Sequence, residues 1–65
     1  MIVLTTKMET IVKENNINTN FTEEQLSNVA FKQKWTSYLL SILYNVSISE
    51  LMEEDVKEYT ELIFG

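Results

Sequence analysis

The sequence predicts an all-α protein: a small three-helix bundle with a long central helix, which forms a dimer. Three capping-box patterns predict helix starts, because a Ser or Thr is followed three residues later by Glu or Gln. They lie at Thr6 and Glu9, at Thr22 and Gln25, and at Ser47 and Glu50. Apolar residues between them recur at helical spacing. The chain has no proline and its single glycine is Gly65, so caps rather than turn residues separate the helices.

The first helix is predicted at about residues 7–15. Before it, the β-branched residues Ile2 and Val3 leave two alternatives, an extended N-terminal arm or an edge strand. Residues 15–20 form the predicted linker, because asparagine competes for backbone hydrogen bonds and tolerates left-handed conformations.

The central helix is predicted at about residues 23–45, a length of roughly 35 Å at 1.5 Å per residue. Its apolar residues form two lines that lie nearly opposite each other. One line contains Leu26, Ala30, Leu40 and Tyr44; the other, the aromatic seam, contains Phe31, Trp35, Tyr38 and Ile42. A short first helix covers only part of this length. The aromatic seam is therefore interpreted in two ways, as bundle core or as the surface that anchors a partner or a second copy.

The third helix, predicted at about residues 48–63, is amphipathic. Its apolar arc holds Ile48, Leu51, Met52, Val56, Tyr59, Leu62 and Ile63. The opposite arc carries Lys57 and the predicted acidic face, which consists of Glu50, Glu53, Glu54, Glu58 and Glu61. Asp55 projects toward the apolar arc and is expected at its rim, because an ionised carboxylate is costly to bury.

The net charge of −5 belongs to the third helix. Residues 1–46 carry four acids and four lysines, whereas residues 47–65 carry six acids and one lysine. A solvated face kept for solubility is one interpretation, although such a face usually mixes signs. The five glutamates from Glu50 to Glu61 span roughly 17 Å, or about 3.3 Å of helix axis per charge, an axial charge density comparable to that of one DNA strand with a phosphate about every 3.4 Å. The second interpretation is therefore a nucleic-acid mimic that binds a basic groove on another protein.

Several function classes are excluded by composition. A 65-residue chain forms one domain, residues 1–65, with little room for an enclosed active site. Without histidine, cysteine or a glycine-rich loop, we predict no enzyme activity, no catalytic residues, no metal site and no cofactor. The acidic balance argues against direct nucleic-acid binding. No apolar run reaches the roughly 20 residues of a membrane span, so a cytoplasmic location in a bacterium or host cell is expected.

The segment from Leu43 to Met52 contains an L-x-N-V-S-x-x-x-L run and resembles the entry into the last helix of Cro-type repressor domains. That resemblance would imply a helix-turn-helix fold that binds DNA. The segment upstream departs from the pattern, since the predicted central helix is continuous and has few basic residues. The resemblance is explained by the residue pattern of a helix N-cap, which both segments have.

We therefore expect a small non-enzymatic regulator or inhibitor that binds another protein. The acidic face meets a basic surface on the partner, and the aromatic seam provides anchoring or homodimerisation. Compact genomes such as those of phages and mobile elements often encode proteins of this kind. Two alternatives remain: a structural subunit of a helical homo-oligomer, and a degenerate helix-turn-helix-like DNA-binding domain.

Overall fold

The computed structural model describes residues 2–65 and leaves Met1 outside the description. These residues form four helices and one 3-10 turn, without a strand, which confirms the all-α class for this part of the chain. The elements are α1 (Thr6–Glu14), α2 (Glu23–Leu26), α3 (Val29–Tyr44), the 3-10 turn (Ile48–Glu50) and α4 (Glu53–Phe64). The helices pack into a body of 30 × 25 × 16 Å.

Helix α3 is the centre of the structure, since it contacts α1, α2, the 3-10 turn and α4. Leu39 and Leu40 are completely buried, and each such side chain contributes about 1.5–3 kcal/mol by leaving water. Leu39 belongs to neither of the two apolar lines predicted for the central helix. The remaining buried apolar residues come from α1 and α4: Met8, Ile11, Val56 and Ile63.

Two threonines lie within this apolar core. Thr36 on α3 and Thr60 on α4 are buried, and a buried hydroxyl without a hydrogen-bond partner would be costly. Each instead donates to the carbonyl one turn earlier, Thr36 Oγ1 to Lys32 O at 2.8 Å and Thr60 Oγ1 to Val56 O at 2.6 Å. The two threonines thus fill core positions without leaving an unsatisfied hydroxyl.

The long central helix is a wrong prediction, because the chain breaks at Ser27 and Asn28 into α2 and α3. The capping box of Thr22 and Gln25 is confirmed: Gln25 N donates to Thr22 Oγ1 at 3.1 Å, and Thr22 N donates to Gln25 Oε1 at 3.0 Å. Asn28 then caps α3, accepting a hydrogen bond from Phe31 N on its Oδ1 at 3.1 Å. An asparagine at the start of a new apolar run was the signal for this second cap.

The break is explained by aromatic packing. In a continuous helix, Glu23 would lie about 9 Å beyond Val29 along the axis. Phe21 would then be carried away from Trp35, whereas the two rings are 5.4 Å apart and nearly perpendicular. Turning the chain at Ser27 and Asn28 folds the segment before α2 back along α3.

The start of the third predicted helix is also corrected. Ser47 does not cap a helix; its hydroxyl lies 3.0 Å from Ser49 Oγ, and the residues after it form the 3-10 turn. The α-helix begins at Glu53, because Leu51 and Met52 adopt extended backbone angles. Helix α3 ends at Asn45, whose left-handed conformation (φ 55°, ψ 49°) is the expected role of asparagine after a helix.

Residues 2–5 form neither a helix nor a strand, which rules out the edge strand for this segment, and Thr5 has extended backbone angles. Val3 N donates to Ile63 O at 2.8 Å, which satisfies one of the free carbonyls at the end of α4. Helix α1 is capped one residue earlier than predicted, since Met8 N donates to Thr5 Oγ1 at 3.2 Å.

Replacing Asn28 with alanine tests the break between α2 and α3. Loss of the cap is expected to lower the free energy of unfolding by about 1 kcal/mol, measured by urea denaturation. Asn28→Ser keeps an oxygen acceptor and is the matched control, with an expected change of a few tenths of a kcal/mol. Equal stability of the two variants would contradict the assignment of Asn28 as a cap.

Candidate protein-binding surface

The five glutamates of the predicted acidic face are all exposed, but they do not lie on one helix. Glu53, Glu54, Glu58 and Glu61 belong to α4, whereas Glu50 belongs to the 3-10 turn. From Glu53 to Glu61 the helix rises about 12 Å. The predicted single row of five charges is therefore replaced by four charges on a shorter helix and one charge before it.

Lysines neutralise one flank of α4. Within residues 2–65 the ion pair is Lys57 with Glu53, whose Nζ and Oε1 atoms are 3.3 Å apart. Glu61 lines a shallow cleft between α3 and α4 together with Lys32 and Lys57. Because exposed pairs contribute at most about 1 kcal/mol, this arrangement matters more for the surface potential than for stability. Glu53 and Glu61 thus lie on a flank of mixed charge.

The other acids of residues 47–65, called here the acidic patch, are all exposed: Glu50, Glu54, Asp55 and Glu58. Glu54 and Glu58 are one turn apart on α4, on the side opposite the buried Val56. Asp55 is exposed, which confirms its expected rim position, and it lines a cleft together with Glu50. Asp55 was not predicted as part of the acidic face, although its three-residue spacing from Glu58 puts the two side chains on neighbouring positions of the helix.

Asp55 and Glu50 border a cleft of about 440 Å³, the Tyr44 cleft, between the end of α3, the 3-10 turn and α4. The hydroxyls of Tyr44 and Tyr59 are hydrogen-bonded at 2.7 Å, and their rings are 6.5 Å apart at an angle of 66°. Leu40 and Leu51 supply apolar lining. The cleft therefore combines aromatic rings, hydroxyl groups and carboxylates.

The tyrosine pair changes the acidity of Tyr44. The hydrogen bond with Tyr59 raises the pKa of Tyr44 above its ordinary value, and partial desolvation and the negative charge of Asp55 add smaller increases. The Tyr44 hydroxyl is consequently neutral throughout the physiological pH range, where it both donates and accepts hydrogen bonds.

The aromatic seam is divided by the structure. Phe31 and Trp35 are half-buried and face the ring of Phe21, which also contacts Phe64 from α4. Trp35 Nε1 donates to the carbonyl of Asn18 at 3.0 Å, so this tryptophan fastens the linker to α3.

The rest of the seam has two different environments. Ile42 is half-buried against the core, whereas Tyr38 is 48% exposed. Tyr38 and Ile48, which is 51% exposed, line an apolar groove with Phe31 and Trp35. Ile48 was predicted on the apolar arc of the third helix, whereas it lies in the 3-10 turn and lines a groove with residues of α3.

Comparison of the chain with protein-family models, with curated proteins and with solved structures finds no match. Within residues 2–65, no three acidic side chains come together as a group able to hold a metal ion. Across the same residues, each helix lacks either the length or the apolar composition that a membrane crossing requires.

The tyrosine pair predicts a pH effect. The pKa of Tyr44 is higher in the folded chain than the ordinary value of about 10. The neutral Tyr44 hydroxyl therefore makes its full contribution to the free energy of unfolding below about pH 10. The contribution is lost as pH rises through the folded-state pKa. Tyr44→Phe is expected to flatten the alkaline decline of the free energy of unfolding, measured by urea denaturation between about pH 9 and 12. The control is Tyr38→Phe, which removes an exposed hydroxyl outside the cleft. An equal change in the alkaline decline of both variants would contradict the prediction.

Proposed function

We propose that this chain is a small non-enzymatic regulator or inhibitor that binds a basic surface of another protein through residues 47–65. The observation that carries the proposal is that the acidic patch and exposed apolar side chains share this segment. Besides Ile48, Met52 and Leu62 are each 63% exposed. Exposed apolar groups beside unneutralised charge are features of a contact surface.

The two kinds of group have different roles in the proposed complex. The four carboxylates of the acidic patch attract a basic partner over a distance and orient it, which raises the association rate. The apolar side chains lose water on contact and slow dissociation. A nucleic-acid-binding groove has the required positive charge, so proteins that bind DNA or RNA are the class of partner that we favour.

The cost of the patch supports a role in binding. Glu54 and Glu58 are like-charged neighbours one turn apart, and such a pair opposes the helix by about 0.2–0.5 kcal/mol. Glu58 is the sixth of the 12 residues of α4, so it lies outside the first turn, where the helix dipole would favour its charge. The helix dipole favours Glu54, which lies in the first turn of α4, but it does not account for Glu58, whereas attraction to a basic partner does.

Neutralising the acidic patch is the decisive experiment. The variant carries Glu50→Gln, Glu54→Gln, Asp55→Asn and Glu58→Gln, and the wild type is used to capture a partner from cells that encode the protein. With that purified partner, association of the wild type is expected to slow as salt rises, and the variant is expected to associate at least about tenfold more slowly at low salt.

A matched control separates the patch from net charge. Replacing Glu9, Glu14, Glu23 and Glu24 with Gln removes the same number of negative charges from exposed positions in the N-terminal half. This variant is expected to associate at nearly the wild-type rate. Equal rates for the patch variant and the wild type, or an equal loss in both variants, would contradict the proposal.

We also propose that the chain forms a homodimer through the exposed part of the aromatic seam. Tyr38 and Ile48 are half exposed on one apolar groove, and small domains often gain burial by self-association. In sedimentation equilibrium, the wild type is expected to show a concentration-dependent mass, and Tyr38→Ala to remain a monomer. Trp35→Ala is a poorer test, since Trp35 packs against Phe21 and Phe64 within one chain. A wild-type monomer at all concentrations would disprove dimerisation.

A further inference from the structure

The Tyr44 cleft has the dimensions and the lining of a side-chain acceptor. Its volume of about 440 Å³ lies within the range of roughly 300–1,000 Å³ that is usual for ligand sites. Tyr44 and Tyr59 form an aromatic wall, and Leu40 and Leu51 belong to the apolar lining. Tyr44 remains half exposed, so the wall is open to a group that enters from solvent.

The polar groups of the cleft all favour a cation. Glu50 and Asp55 are exposed carboxylates, and the residues that line the cleft include no lysine. In the Tyr44–Tyr59 hydrogen bond one hydroxyl donates, so both oxygens keep lone pairs that accept further hydrogen bonds. Tyrosine rings also attract cations through their electron-rich faces. Charge and hydrogen-bonding capacity therefore point to the same kind of ligand.

From this arrangement we propose that the Tyr44 cleft binds the side chain of an arginine supplied by the partner protein. The aliphatic stem lies along the apolar lining, and the guanidinium reaches the carboxylates of Glu50 and Asp55 and the hydroxyl of a tyrosine. This inference rests on the proposed function, and it identifies which residue type of the basic partner the acidic patch receives.

Arginine fits the cleft better than lysine does. The guanidinium is planar, so it stacks on a tyrosine ring while its edge donates hydrogen bonds to carboxylates. The cleft presents acceptors on different elements, Glu50 on the 3-10 turn and Asp55 and Tyr59 on α4. The five N–H donors of a guanidinium point in fixed, different directions, which suits acceptors that lie apart. The ammonium of lysine is a compact point charge that is more strongly hydrated.

A peptide titration tests the cleft without the partner. The probe is a capped five-residue peptide of glycine and serine with one central arginine, added to the isotope-labelled full chain and followed by NMR. Two further peptides carry citrulline, which is neutral and nearly the same shape, or lysine. The arginine peptide is expected to shift the resonances of Tyr44, Asp55 and Tyr59 and to bind at least about tenfold more tightly than the citrulline peptide.

Variants assign the binding to the cleft. Asp55→Asn is expected to lower the affinity of the chain for the arginine peptide roughly tenfold, because a charge-assisted hydrogen bond is lost. Tyr44→Phe is expected to weaken it less, since the ring remains. Glu24→Gln removes one charge from α2, away from the cleft, and is expected to change the affinity less than twofold. Dispersed amide spectra of each variant show that the fold is retained.

Three results would overturn the inference: equal binding of arginine and citrulline peptides, equal binding of arginine and lysine peptides, or an equal loss in Asp55→Asn and Glu24→Gln. Its failure is distinguishable from failure of the proposed function. If partner association depends on the acidic patch but the arginine peptide does not bind the cleft, only this inference is wrong. If the peptide binds the cleft but the partner associates with the acidic-patch variant as fast as with the wild type, the proposed function is wrong.

Discussion

The structure depends on the burial of one face of α3 between α1 and α4. Leu39 and Leu40 are completely removed from solvent there, and Thr36 lies beside them with its hydroxyl bonded to its own helix. A chain of 65 residues buries only about 60% of the surface that it exposes when unfolded, so few positions are available for such complete burial. The packing of α3 therefore sets the positions of the flanking helices, and through them the positions of the surface groups.

A second packing interaction explains the path of the chain around α3. Phe21 contacts the rings of Phe31, Trp35 and Phe64, which come from the two longest helices. The pairs with Phe31 and Trp35 are edge-to-face, and such pairs contribute about 0.5–1.5 kcal/mol each beyond their burial. This contact requires the chain to turn before α3. The side chain of Asn28 partly offsets the cost of the turn, because it accepts a hydrogen bond from Phe31 N, one of the backbone donors left free at the start of α3. Aromatic residues that resemble an interaction seam thus serve in part to hold one chain together.

The distribution of charge is what distinguishes the surface. Lysines are placed beside Glu53 and Glu61, whereas the Tyr44 cleft is bordered by Glu50 and Asp55 and has no lysine in its lining. A uniform solubility surface would intersperse the two signs. The asymmetry supports the proposed contact with a basic partner, and the Tyr44 cleft is where we propose that one arginine of that partner binds.

The sequence by itself determined the features that depend on residues within one helical turn. These are the all-α class, the cap of Thr22 and Gln25, the end of α3 at Asn45, and the concentration of negative charge in residues 47–65. Only the tertiary structure decided that the central helix breaks, because that depends on ring contacts between residues as distant as Phe21 and Phe64. The tertiary structure also decided that Leu39 is buried and that Asp55 and Glu50 share a cleft. Both features depend on how α3, the 3-10 turn and α4 pack against one another.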